Sequence, residues 1–147
     1  MDKKGFTLLE VILVISILGI LLLVPSLKAS SALSYRERKE LSTFKKDIDY
    51  ARNRAIVESC RYSVFLNFDK NYYIVKKHDR IEIVLKKYEF KSGLKLINTK
   101  NLGNQISFGY SGTPSKAGTV FLEDRKGKKI KITIVPVTGK VNIYIDD

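Results

Sequence analysis

KKGFTLLEVILVISILGILLLVP, residues 3–25, is the stretch on which the reading of this chain turns. Two lysines and Gly5 lead into an apolar run that begins at Phe6 and is interrupted only by Thr7, Glu10, Ser16 and Gly19. Its length suits a bilayer-crossing helix, which takes roughly 20 apolar residues. A secretory signal peptide is the rival reading, with Ser30, Ser31 and Ala32 as a small-residue cleavage site. Such a peptide has an apolar core of only ~7–15 residues and no use for a carboxylate at its centre. Glu10 therefore decides against it. An ionisable group inside a span costs about 2.5–3.5 kcal/mol on insertion scales and marks a functional site. Lys3 and Lys4 place the short N-terminus in the cytoplasm, although Lys28, Arg36, Arg38 and Lys39 beyond the run oppose that bias.

Past Pro25 the pattern stays helical. Leu41, Phe44, Ile48, Ala51 and Ala55 recur at intervals of three and four, an apolar stripe along an amphipathic helix. Arg36, Glu37, Arg38, Lys39, Lys45, Lys46, Asp49, Arg52 and Arg54 fill the other faces. Glu40 falls on the side that a sheet covers less. The two segments read as one continuous helix, apolar all round in its first half and amphipathic in its second.

From Arg61 the period changes to two. Tyr62, Val64, Leu66 and Phe68 alternate, Asp69-Lys70-Asn71 turns, and strands follow at 72–76 and 81–90 with His78-Asp79-Arg80 as their hairpin. Residues 91–105 read mostly as loop, with a short strand at 94–97. A strand at 106–110 and a turn-rich connector at 111–118 precede a last meander of strands at 119–123, 129–135 and 140–145. The expected fold is α+β, a long N-terminal helix packed on an antiparallel β-sheet head.

The 147 residues are one domain's worth of chain, and 27 Lys plus Arg against 15 Asp plus Glu give a net charge of +12. That balance suits nucleic acid, anionic lipid or cell-wall polymers as partners, or simply a solvated lysine-rich surface. The single cysteine, Cys60, excludes an intrachain disulfide, and its place at the end of the helical pattern favours burial over pairing with another chain. No catalytic constellation, Gly-rich phosphate loop or metal-ligand spacing is present in the sequence. His78 reads as a solvated turn residue. Asp146 and Asp147 lack the alternating acidic run of a calcium loop. No cofactor or metal is expected, and no enzyme activity.

Gly5, Phe6, Thr7, Leu8, Leu9 and Glu10, followed by Ile15, Gly19 and Ile20, match the type III leader of the type IV pilin superfamily. The chain resembles a prepilin or pseudoprepilin. One departure is Pro25, twentieth after the cleavage point where the family often has proline near the twenty-second position. The helix end Asp47–Ile56, DIDYARNRAI, and the late Ile132–Val141, ITIVPVTGKV, are similar to the H-type minor pseudopilins of type II secretion and to competence pilins.

The resemblance implies residues 1–5 as a leader, 6–25 as a transmembrane and assembly helix, and 26–147 as amphipathic helix and globular head. It implies cleavage between Gly5 and Phe6 by a prepilin peptidase, N-methylation of Phe6, and Glu10 as the assembly residue. Glu10 pairs either with the Phe6 amine of a neighbouring subunit or with its own. Gly19 either permits close helix approach or relaxes the helix. The implied partners are other pilin or pseudopilin subunits, the peptidase, an assembly ATPase, a platform membrane protein and the lipid bilayer. The implied location is the cytoplasmic (inner) membrane as a single-pass protein, head outside, then a periplasmic or extracellular filament. Secretion, adhesion and competence systems all remain open.

DNA is a second candidate partner. The clusters at 72–77, YYIVKK, and 126–131, KGKKIK, interleave lysine with aromatic or apolar residues. Lys126, Lys128 and Lys129 are the candidate phosphate contacts, with tyrosine rings available to stack. Alternating lysines also serve as a solvent face that protects sheet edges from aggregation.

Overall fold

The computed structural model describes residues 7–23 and 33–145, which fall into two compact units, Met1–Ala32 and Leu33–Asp147. The first holds α1 (Leu8–Leu23), 16 residues of apolar helix carrying one carboxylate, Glu10. At 1.5 Å per residue it is about 24 Å long. Among the described residues no helix is long and apolar enough to cross a membrane.

The head unit opens with α2 (Tyr35–Val57). The sequence reading runs one helix through this region, whereas the structure begins α2 afresh at a Ser34 N-cap. The Ser34 hydroxyl accepts the Glu37 N–H at 3.3 Å, and the Glu37 carboxylate accepts the Ser34 N–H at 2.8 Å. This reciprocal box satisfies two of the donors that a helix start leaves orphaned. Leu41, Phe44, Ile48, Ala51 and Ala55 are all buried, as their spacing predicts. Glu37 and Glu40 are buried too, against expectation. Glu40 accepts the N–H groups of Lys91 and Ser92 and the Ser92 hydroxyl. Its carboxylate serves the loop that links the sheets, a demand that helical periodicity does not register.

Among the described residues eight strands follow: β1 (Arg61–Asn67), β2 (Tyr72–His78), β3 (Glu82–Glu89), β4 (Lys95–Lys100), β5 (Gln105–Phe108), β6 (Gly118–Glu123), β7 (Lys129–Ile134) and β8 (Val141–Ile145). They form two four-stranded sheets rather than one, in the orders β3-β2-β1-β5 and β4-β6-β7-β8. All the ladders are antiparallel. The break comes after Phe90, where β4 starts the second sheet, and β5 returns to the first. β4 is longer than its sequence suggests because Ile97 bulges between Leu96 and Asn98 and spoils the alternation.

Asn71, at φ 52°, joins the two sheets. Its side-chain amide donates to the Leu94 carbonyl at 2.7 Å and accepts the Leu96 N–H at 2.8 Å. The core lies between α2 and the sheets. Phe44, Tyr73, Tyr88 and Phe90 interlock there, with Phe44 and Tyr73 ring centroids 4.7 Å apart. Such pairs contribute ~0.5–1.5 kcal/mol beyond their buried area.

Candidate functional site

Two regions carry the candidate residues. In the first unit the Thr7 hydroxyl and carbonyl both accept the Glu10 N–H, at 3.3 and 3.1 Å. Thr7 thereby acts as the cap of α1 and fixes Glu10 in its first turn. There the helix dipole favours a negative charge. The bond uses the backbone N–H at position 10, so the cap depends on the Thr7 side chain and not on the identity of Glu10. Every apolar side chain described on α1 is exposed, from Leu8 to Leu18. A Cβ added at Gly19 would meet nothing. Gly5, Phe6 and Pro25 lie outside the described residues.

An apolar helix exposed on every described side has no stable place in water. It needs lipid or other helices around it. Glu10 is the sole ionisable group of α1, so the helix offers one charged site to whatever surrounds it.

The second region is the β6–β7 turn. Asp124, 6% exposed, accepts the N–H groups of Lys126 and Lys128 at 2.8 Å each. Its own N–H donates to the Lys128 carbonyl, and Gly127 closes the turn at φ 80°. Arg125 turns back to Glu37 of α2 at 3.3 Å. The turn is thus pinned from inside while Lys126 and Lys129 are exposed and Lys128 is half-buried. Burial pushes the Glu37 carboxyl up, but the hydrogen bonds from Ser34 and Arg125 outweigh it and hold it below the usual value.

The cluster at 72–77 is not a free stacking surface. Tyr73 is fully buried, and Lys76 and Lys77 pair with Glu82 and Glu58. Lys77 and the Tyr62 hydroxyl together depress the Glu58 carboxyl, with Tyr62 the larger cause. Lys87 lies 4.4 Å from the Tyr72 ring centroid.

His78 is not a turn residue but the last of β2. It contacts the Ser63 hydroxyl at 2.7 Å and faces Glu82 at 3.5 Å. Cys60 is a partly buried free thiol packed against the core. Among the described residues no group of three or more His, Cys, Asp or Glu side chains is placed to hold a metal ion.

Sequence reasoning overlooked two aromatic residues near the lysine turn. Phe121 and Tyr144 share one sheet face with Lys131, through the pairs Phe121↔Lys131 and Lys131↔Tyr144. The alternation within each strand gives the face, but the register across three strands is what aligns them.

The family signature described as "Prokaryotic N-terminal methylation motif" matches residues 1–24. No curated protein sequence matches the chain. Among solved structures, the chain is similar to the minor pseudopilin EpsH from the type 2 secretion system of Vibrio cholerae. The TM-score is 0.60 at 13% identity, over 74% of this chain and 95% of EpsH. It is also similar to the type IV minor pilin FimU of Pseudomonas aeruginosa, with a TM-score of 0.56 at 17% identity, over 77% of this chain and 92% of FimU. At these identities the likeness is one of fold.

Proposed function

We propose that this chain, which joins an N-terminal methylation motif to a type IV pilin-like fold, is a minor pilin or pseudopilin. It is a structural subunit, not an enzyme. The carrying observation is the strongly apolar α1 with Glu10 as its one ionisable group, preceded in the sequence by Gly5-Phe6-Thr7. A prepilin peptidase cuts between Gly5 and Phe6, and Phe6 is methylated. The remaining helix holds the protein in the cytoplasmic membrane, head outside, until a platform protein moves it into a filament.

Glu10 then sets the register. Neither an ammonium nor a carboxylate is tolerated alone in lipid, so the Phe6 amine and Glu10 seek each other. With Glu10 one helical turn beyond the amine, pairing between neighbouring subunits fixes their axial offset. The deciding experiment is mass analysis of the N-terminus of protein purified from membranes. Methyl-Phe6 as the first residue supports the reading. A mature chain starting after Ala32 would discard it.

The second reading is a competence-pilus subunit that touches DNA. Exposed Lys126 and Lys129 on a turn held rigid by Asp124 favour it, with Lys128 beside them. Transformation frequency in a strain lacking the gene separates the two. Loss restored by the wild-type gene supports DNA uptake, and unchanged uptake in a competent strain supports a secretion or adhesion filament.

A further inference from the structure

The outer face of the sheet β4-β6-β7-β8 carries a regular pattern of cations around aromatic rings. Val120, Leu122, Ile130, Ile132 and Ile134 point into the core and are 0% exposed. Their neighbours along each strand therefore point away from it. The ladders align these outward residues in rows. The central row is Asn98, Phe121, Lys131 and Tyr144, one from each strand. The row on one side is Lys95, Glu123 and Lys129, and on the other Lys100, Thr119, Thr133 and Asn142.

Among the described residues the face carries four lysines and one glutamate, a basic balance. Tyr144 is 54% exposed. Phe121 is half-buried and forms part of a cleft of about 370 Å³ that Ile97, Asn98, Lys129, Lys131 and one carboxylate, Glu123, also line. Adjacent strands lie ~4.8 Å apart, so Phe121 and Tyr144, two strands apart, are separated by ~10 Å with Lys131 between them. An aromatic, a cation and a second aromatic in one row form a stacking platform with a phosphate contact at its centre.

We propose that this face binds single-stranded nucleic acid. One base stacks on Phe121 in the cleft and another on Tyr144. Lys129 and Lys131 meet the phosphates near them, and Lys95 and Lys100 extend the basic track along β4. Charge complementarity selects a polyanion. The two rings select one with exposed planar faces, which a duplex keeps stacked inside. The proposal rests on the reading of DNA as a partner and moves its centre from the β6–β7 turn to the sheet. Lys126 and Lys128 become the margin of the site.

The test uses the full-length chain in non-ionic detergent and a fluorescein-labelled oligo(dT), read by anisotropy at 50 and 200 mM salt. Tyr144→Ala and Phe121→Leu should each weaken binding about 10-fold without altering the salt dependence, as expected for lost stacking. Lys129→Gln and Lys131→Gln should each flatten the slope of log affinity against log salt by about 0.7. Full affinity in both aromatic variants, with loss in Lys126→Gln/Lys128→Gln, would overturn the platform and leave DNA contact at the turn. Poly-glutamate competing as well as unlabelled oligo(dT) would overturn it as well, by making the face a general polyanion surface. If wild type at 50 mM salt fails to bind oligo(dT) but binds a labelled duplex of the same length, the platform is overturned and DNA contact at the turn survives; binding of neither would remove both, leaving the filament role untouched.

Discussion

The hydroxyl of Tyr73, on β2, donates to the carboxylate of Asp47, on α2, at 2.5 Å. Lys86 reaches the same carboxylate at 2.6 Å. Burial first, then the hydrogen bond to Asp47, pushes the Tyr73 hydroxyl far above the usual tyrosine range, so it stays a donor. Asp47→Ala strands that hydroxyl in the core, and should cost about 1–3 kcal/mol. Tyr73→Phe alone should cost about 1 kcal/mol. In the Asp47→Ala background it should instead recover part of the loss, because it removes the stranded hydroxyl. Urea unfolding of the four proteins reads the cycle; additive losses would mean that the bond does not couple helix to sheet.

Glu37 makes the head sensitive to acid. Its carboxyl is depressed in the folded state, so its contribution is complete above the unfolded value of about 4.3 and is lost as pH falls through the folded value. Glu37→Gln should therefore lower the urea midpoint at pH 6, and the gap to wild type should narrow progressively as the pH is taken below about 4.3. A gap that is unchanged at pH 3 would show that the charge of Glu37 contributes nothing.

Gly118 has a steric role. A Cβ there would lie 2.2 Å from the Lys100 carbonyl oxygen and 2.8 Å from Leu102 Cγ. Gly118→Ala must push β6 off β4, and should cost about 3 kcal/mol, the upper end for overpacking. Gly103, at φ 66° in open space, is the control. Its change to Ala meets only left-handed strain, about 1 kcal/mol. Thermal unfolding of both variants gives the order, and Gly103→Ala as the worse of the two would contradict it.

Gly5→Val should leave full-length precursor in membranes, because a side chain at the scissile bond obstructs the peptidase. Glu10→Val should be cut normally yet be missing from sheared filaments. Immunoblots of membrane and sheared fractions read both. Mature-sized Gly5→Val protein, or wild-type amounts of Glu10→Val in filaments, would defeat the processing and pairing steps respectively.

What was legible in the sequence was what local pattern controls. The stripe from Leu41 to Ala55 predicts the buried face of α2, and alternation predicts β1, β2 and the meander β6-β7-β8. What stayed hidden depends on distant partners. Glu37 and Glu40 are buried because loop N–H groups 88 and 51 positions away need acceptors. The split into two sheets likewise depends on Asn71 meeting Leu94 and Leu96. Phe121 and Tyr144 align only through register.

The spacing of attachments along α2 has a mechanical consequence. Leu33 is seated in the core, and Glu37, Glu40 and Asp47 fasten α2 at three points along its length to Arg125, Ser92 and Tyr73. A pull on Leu33 directed along the axis of α2 would load these anchors together, in shear, whereas a pull across that axis would peel them in turn.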